Sequence, residues 1–359
     1  MIDKNSDVPV YRQIYNILYD EIIHGVYNQT GKLPCERELK NLFGVERNTV
    51  RKALQLLAEK GLIIKIAGYG TKIAIEKNLS KNILFITRQD YLQNEKSEYF
   101  HLKLIEILEN NLSLFNYNLI FKSADEQFNE FDIIKTISHT DTAAVIFDSY
   151  NKNSFYEIAT SVNIPCVSIN HYTPAVTSIV SNNFDGSYRV MKMLAEAGHK
   201  KIAFITGKEN YQTTIERLSG VQSYYIKNKL ILEKKYILPG EWHFNSGFEA
   251  GEKILAMNLD ERPTAVFALN DDMAFGCLSC LEKHGIAVPD EMSLVGFDKS
   301  DRYASIIRPI TTVDVNIEAL VKYACWYLLG YIENKAPKAI AKIQIDTEIQ
   351  DNGTVIKIN

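Results

Sequence analysis

Residues 43 to 61, FGVERNTVRKALQLLAEKG, have two faces. Val50, Ala53, Leu54 and Leu57 fall at i, i+3, i+4 and i+7, while Arg47, Arg51, Lys52 and Gln55 fall on the opposite side. This spacing predicts a helix with one side in a core and a cationic side free for an anion, ending at Lys60-Gly61. Upstream, Val10, Ile14, Ile17, Leu18 and Ile22 form a helical stripe that ends near His24-Gly25. CERELKNLFG, residues 35 to 44, forms a short one with Leu39, Leu42 and Phe43, stopped by Gly44. Two short helices joined by a tight turn, the second basic on its outer face, make a helix-turn-helix pattern. LIIKIAGYGTKIAI then alternates around Gly68-Tyr69-Gly70, which predicts a hairpin able to act as a wing. The polar stretch EKNLSKN, residues 76 to 82, breaks the pattern and is expected to be a linker.

Beyond it the period changes. Short apolar runs, ILFIT (83 to 87), NLIFKS (118 to 123), AAVIFDS (143 to 149), PCVSIN (165 to 170), KIAFIT (201 to 206), TAVFALN (264 to 270) and SLVGFD (293 to 298), alternate with amphipathic helical stretches. Strands separated by helices of this length imply right-handed βαβ units and parallel sheets. Seven such strands exceed one comfortable doubly wound sheet, so two lobes are expected, with ligand chemistry where the strands end and in the cleft between lobes.

Composition narrows the class. Of 359 residues, 46% are apolar and 23% charged, the balance of a soluble globular protein. No run approaches the roughly eighteen apolar residues of a membrane span, and MIDKNSDVPV has no signal-peptide pattern, so a cytoplasmic protein with no membrane partner is expected. The net charge of -4 is unevenly spread. Residues 1 to 77 carry twelve Lys and Arg against nine Asp and Glu, and the remainder 28 against 35, so only the front end suits a polyanion. Five scattered cysteines fit reduced thiols, and the Cys277-x-x-Cys280 pair, inside a helical run, is expected to pack rather than bind metal. The seven histidines are spread out, and no metal site or cofactor is expected.

At this point the chain resembles a known combination. Residues 8 to 76 are similar almost throughout to the GntR-type winged-helix DNA-binding domain. Residues 82 to 359 resemble the LacI and periplasmic-sugar-binding superfamily through TTIERLSGV (213 to 221), FALNDDMAFG (267 to 276), PDEMSLVGFDKS (289 to 300) and RPITTVD (308 to 314), in the expected order. Arabinose-responsive repressors share this architecture. The expected fold is therefore an α/β multidomain chain: a winged helix-turn-helix over 1–76, mostly α with a β-wing; a linker over 77–82; and a two-lobed periplasmic-binding-protein-like α/β domain with parallel sheets over 83–359. The lobes are placed at 83–181 plus 314–335 and at 182–313 plus 336–359.

The resemblance implies DNA-contacting positions at Arg37, Arg47, Asn48, Thr49, Arg51 and Lys52, with Gly68 at the wing tip. Guanine offers an arginine fork two acceptors in the major groove, so base reading falls to Arg37, Arg47 and Arg51, and phosphate contact to Thr49 and Lys52. Two positions depart from the family pattern, where serine is usual: Cys35, a weak N-cap, and Glu46, whose charge occupies the place of a phosphate. In the large domain the resemblance places Arg217, Asn270 and Asp298 in the cleft, with Asn170 and Trp242 beside them. The implied protein is a homodimeric transcription regulator, most naturally a repressor, with double-stranded operator DNA as one partner and a monosaccharide or small oligosaccharide as effector. A nucleoside is the alternative ligand. A solute-binding protein and an enzyme fused to a GntR-type head are the other classes. GxSxG, HExxH and GxxxxGK[ST] are all missing from the sequence, so no enzyme is expected.

Overall fold

The structure is a computed structural model describing residues 2, 8–23, 26–27, 31–60, 62–66, 70–73, 81–89, 99–125, 127–149, 152–162, 164–303, 307–333, 335 and 339–358. The chain divides into two compact units, residues 1–80 and 81–359.

In the first unit, α1 (Val10–Ile23), α2 (Glu36–Phe43) and α3 (Arg47–Glu59) precede a hairpin of β1 (Ile63–Ile66) and β2 (Gly70–Ile73). The apolar stripe of α3 is buried in full: Val50, Ala53, Leu54 and Leu57 are each inaccessible. They pack with Ile14, Leu18 and Ile22 of α1, Leu39 of α2, Leu33 and Ile63, so three helices and the hairpin share one small core. Gly44 ends α2 in the left-handed region at φ 61°, a conformation a side chain disfavours, and its N–H donates to the Lys40 carbonyl. That reversal sets α3 across α2. The hairpin is antiparallel with Ile63 opposite Ile73 and Ile66 opposite Gly70. Its turn, with the wing-tip position Gly68, lies outside the described residues.

The second unit contains two six-stranded sheets. The first holds β3 (Asn82–Arg88), β4 (Asn118–Ala124), β5 (Thr142–Asp148), β6 (Cys166–Ile169), β7 (Thr177–Ser181) and β13 (Lys342–Ile345), in the order β13-β7-β6-β5-β3-β4. The second holds β8 (Ile202–Thr206), β9 (Ile237–Pro239), β10 (Ala265–Ala268), β11 (Ser293–Phe297), β12 (Thr311–Asp314) and β14 (Glu348–Gln350), in the order β14-β12-β11-β10-β8-β9. All pairings are parallel except that of β12 with β14. Helices α4 (Tyr99–Ser113), α5 (Glu130–His139), α6 (Asn153–Ser161) and α11 (Ile317–Ile332) accompany the first sheet, and α7 (Asn183–Glu196), α8 (Gln212–Lys227), α9 (Phe244–Leu255) and α10 (Asp271–Lys283) the second. The apolar runs become strands because a sheet covered on both faces leaves no face for polar residues; Ile83 to Ile86 and Ala144 to Phe147 are all fully buried.

The chain passes between lobes three times: after Ser181, after Asp314 and after Ile345. The third crossing falls later than the boundary drawn at 336. Lys342–Ile345 still pairs, in parallel, with Ser178–Ser181 of the first sheet, and only β14 reaches the second. Among the described residues, no helix is long and apolar enough to cross a membrane.

Candidate functional site

The head gathers Arg47, Arg51 and Lys65 around one carboxylate, that of Glu36. Arg37, Arg47, Asn48, Arg51 and Lys52 are exposed, and Thr49 is half-buried. Arg47 and Arg51 do not hang loose. Each donates its Nε–H to the carboxylate of Glu36 on α2, at 2.8 Å and 3.0 Å, with the Lys65 ammonium of β1 3.7 Å from the same group. Burial pushes the Glu36 carboxyl up, but the bonds from Arg47 and Arg51 outweigh that and hold it below its ordinary range. With the Nε side fixed, each arginine keeps its outer fork of N–H groups for an acceptor such as guanine or phosphate. Glu36 gathers both arginines, a contact that sequence reasoning missed because its partners stand 11 and 15 positions away.

The two unusual positions have different fates. At Cys35, the N-cap of α2, the backbone N–H donates to the Glu38 carboxylate at 2.7 Å, so the reciprocal half of a capping box is supplied by the glutamate. Glu46 is the N-cap of α3 with an extended backbone (φ -72°, ψ 148°), but its side chain makes no capping hydrogen bond. Its backbone carbonyl accepts from the Thr49 N–H at 2.9 Å, and its side chain is exposed.

In the second unit a cavity of about 270 Å³ lies between the lobes, with Arg88, Phe100, His101, Asn170 and Tyr172 from one and Gln212, Arg217, Trp242 and Asp298 from the other among its lining residues. Arg217 is its most constrained donor. Its Nε–H goes to Asn183 Oδ1 at 2.9 Å, Nη1 to the Leu269 carbonyl, and Nη2 to Asp298 Oδ1 at 2.7 Å, while its guanidinium carbon lies 3.8 Å from the centre of the Phe297 ring. Three of five N–H groups are thus held by protein, and two remain for a ligand. The ion pair and the cavity lining are the same two residues, so pairing and ligand contact are compatible roles.

Strand ends carry the site, and they carry it on unusual backbone. Ser149 after β5, Asn170 after β6, Trp242 and Asp298 after β11 all line the cavity and all lie at positive φ, 52°, 56°, 68° and 107°. Such conformations disfavour side chains by about 1 to 3 kcal/mol and persist where surrounding structure over-determines them, as at ligand clamps. Trp242 is held flat against Gly207, where any Cβ would fall 1.9 Å from the indole. Its indole N–H is buried and has no hydrogen-bond partner among the described residues.

Asn270 departs from its expected place. It is not among the residues lining the cavity: its Oδ1 caps α10 by accepting from Met273 N–H at 2.9 Å, and its Nδ2 donates to the Trp242 carbonyl at 2.9 Å, so it holds the Trp242 backbone instead. Asp148, at the end of β5, is fully buried. It holds Thr87 Oγ1 at 2.8 Å and His101 Nδ1 at 2.6 Å, and His101 lines the cavity. His171 lines it too, and burial lowers its pKa, which favours the neutral ring. Behind Asp298, Asp271 accepts from Ser300 N–H and Thr312 Oγ1, both at 2.6 Å. Its burial, with the charge of Asp298, raises its pKa well above the ordinary carboxylate range.

Cys277 and Cys280 are buried in α10, and burial pushes both thiols up, away from the thiolate that metal or redox chemistry needs. Among the described residues, no group of three or more His, Cys, Asp or Glu could hold a metal ion.

Known proteins agree with this division. Residues 10–73 match the bacterial regulatory proteins of the gntR family, and residues 191–354 match the periplasmic binding protein-like domain. The chain is 28% identical over 324 residues to the probable HTH-type transcriptional repressor ExuR of Bacillus subtilis (strain 168), a match covering 90% of this chain and 94% of that protein. It is 34% identical over 163 residues to the HTH-type transcriptional repressor PurR of Aliivibrio fischeri (strain ATCC 700601 / ES114), spanning 45% of this chain and about half, 48%, of that one. Among solved structures, a LacI family transcriptional regulator from Enterococcus faecium with bound ribose superposes with a TM-score of 0.67 at 20% identity, covering 77% of this chain and 100% of that one, which supports the fold. All three of these proteins are described as transcriptional repressors or regulators.

Proposed function

From a chain that joins a DNA-binding domain of the gntR family to a periplasmic binding protein-like domain, we infer a transcriptional repressor whose hold on operator DNA is set by a small molecule in the cavity between the lobes. The observation that carries this reading is the buried Arg217–Asp298 pair, 2.7 Å apart, which lines the cavity with hydrogen-bonding and charged groups of both signs. A sugar suits it: vicinal hydroxyls both donate and accept. The ribose bound to the structural neighbour supports the same class.

In the head, Arg37, Arg47 and Arg51 read base edges, Thr49 and Lys52 meet phosphates, and Asn48 completes the contact face, with Gly68 at the wing tip. The protein acts in the cytoplasm as a homodimer, because two heads about 34 Å apart fit two half-sites one turn of DNA apart and double the phosphate contacts of a weakly basic module. A ligand shifts the balance only by binding one lobe arrangement better than the other.

A nucleoside is the second reading. Phe100, Tyr172, Tyr211 and Trp242 all line the cavity and could hold a flat base, and PurR is among the relatives. A thermal-shift panel of pentoses, hexoses, uronic acids and nucleosides separates the two, since a ligand of the folded state raises the melting temperature. The hit is then titrated into protein bound to fluorescent operator DNA. A sugar that shifts both melting and operator affinity is the expected outcome; a nucleoside hit selects the second reading, and a ligand without effect on operator affinity overturns the repressor.

A further inference from the structure

Two residues outside the cavity tie its polar elements together. Gln212, the first residue of α8, lines the cavity, and its Oε1 accepts the N–H of Tyr172 from the other lobe at 2.9 Å. Its Nε2 donates to Glu216 Oε1 at 3.0 Å, one helical turn on. Glu216 Oε2 accepts from Asn183 Nδ2 at 2.9 Å, and Asn183 Oδ1 accepts the Nε–H of Arg217 at 2.9 Å. Asn183 is itself buried and opens α7, directly after the first crossing between lobes.

This chain has a fixed direction. Asn183 must aim its oxygen at Arg217 and its NH₂ at Glu216, because the reverse would set two donors face to face at Arg217. The Glu216 carboxylate enforces that orientation. Its other oxygen holds Gln212 where Gln212 meets Tyr172.

We infer that Glu216 and Asn183 are positioning residues of the cleft: Glu216 orients the Asn183 amide, Asn183 aims Arg217 at the cavity, and the same carboxylate links Arg217 to the interlobe bond of Gln212 with Tyr172. Their importance for an effector rests on the function proposed above, whereas the positioning itself is a property of the free protein.

The experiment therefore uses the full chain without ligand. The sequence has two tryptophans, and Trp326→Phe at an exposed position leaves Trp242 as the only indole reporter. The Arg217 guanidinium carbon lies 5.8 Å from the Trp242 ring, so displacing Arg217 changes the surroundings of that indole. In this background Asn183→Asp sets two carboxylates against each other. Glu216→Gln removes one of two acceptors. In the double variant the new amide at 216 donates to the new carboxylate at 183 and still accepts from Gln212, while Arg217 keeps its acceptor.

Each single variant is expected to shift the emission maximum and raise acrylamide quenching of Trp242 by about twofold as the cleft loosens. The double variant is expected to return both to the parent value. A structural role alone would lower melting temperatures without restoring the spectrum in the double variant. Unchanged quenching in Glu216→Gln, whose half-exposed site tolerates substitution, overturns the inference even if Asn183→Asp does not fold; so does a double variant that stays with the singles. Because no effector is present, failure here leaves the repressor reading intact, and failure of the ligand panel leaves this result intact.

Discussion

Both units restrain arginines with an acid, yet they do so in opposite surroundings. In the head, Arg47 and Arg51 share Glu36 with side chains 61% and 53% exposed; in the cleft, Arg217 and Asp298 are 5% and 11% exposed. Exposed pairs of this kind are worth about 0 to 1 kcal/mol and weaken in salt. They pre-arrange a surface that DNA can still remodel. A buried pair is different: removing one partner leaves an uncompensated charge. The cleft must therefore keep its pair or replace it with a ligand making equivalent bonds, and the head need not.

The largest expected effect tests the buried side. Asp298→Ala strands the Arg217 guanidinium and is expected to cost about 3 to 5 kcal/mol of stability in the second unit, together with effector response. Urea denaturation checks the first and calorimetry the second; a variant as stable as the parent would show that solvent already screens the pair. Next comes the exposed side. Arg47→Ala is expected to weaken specific operator binding by about 1 to 3 kcal/mol while leaving the melting temperature nearly unchanged. Equal operator affinity in a gel-shift titration would remove Arg47 from the reading face.

The sequence shows the difference between these sites only in part. The α3 stripe was legible because all four apolar positions are buried at helical spacing, and six of the seven expected strands because each is an apolar run covered on both faces; the seventh, β4, lies at a sheet edge and is only partly buried, with Leu119, Ile120 and Phe121 as its apolar run. The strands β7, β12, β13 and β14 were not, since they are three to five residues long and carry Thr, Ser, Lys or Gln among their apolar positions, and neither was β9, which is only Ile-Leu-Pro. Arg217, Asp298, Trp242 and Asn170 converge on one cavity through motifs already visible in the chain. Glu36, Glu216 and Asn183 were invisible because their roles arise from neighbours brought together by folding. Asn270 carried a local signal, an asparagine ahead of Asp-Asp-Met, that fits an N-cap better than a ligand contact.

A smaller effect probes how the buried pair is tuned. Asp271 sits behind Asp298 with its pKa raised, so the folded state binds that proton more tightly than the unfolded chain. Its contribution to stability is full below the ordinary carboxylate pKa and is lost as pH rises towards the folded value. Asp271→Asn can accept from Ser300 N–H and donate to Thr312 Oγ1, so it keeps both contacts without a charge to bury. The variant is expected to gain melting temperature over the parent at pH 8 and much less at pH 4. A gain independent of pH would place the burden elsewhere than on ionisation.

The smallest effect on stability, and the sharpest for the head, belongs to Glu36. Glu36→Gln keeps the side-chain shape but gives up the charge that gathers Arg47, Arg51 and Lys65. Folding should change by at most about 1 kcal/mol, because the pairs are exposed. DNA binding should change in two directions at once. Loss of a negative charge beside three cations strengthens binding to random-sequence DNA, and the loosened arginines discriminate less well between operator and non-operator bases. The ratio of the two affinities, measured by competition at fixed salt, is therefore expected to fall although total affinity does not. If that ratio is unchanged, the arginines find their bases without help from α2, and the exposed pairs are only solvated charges.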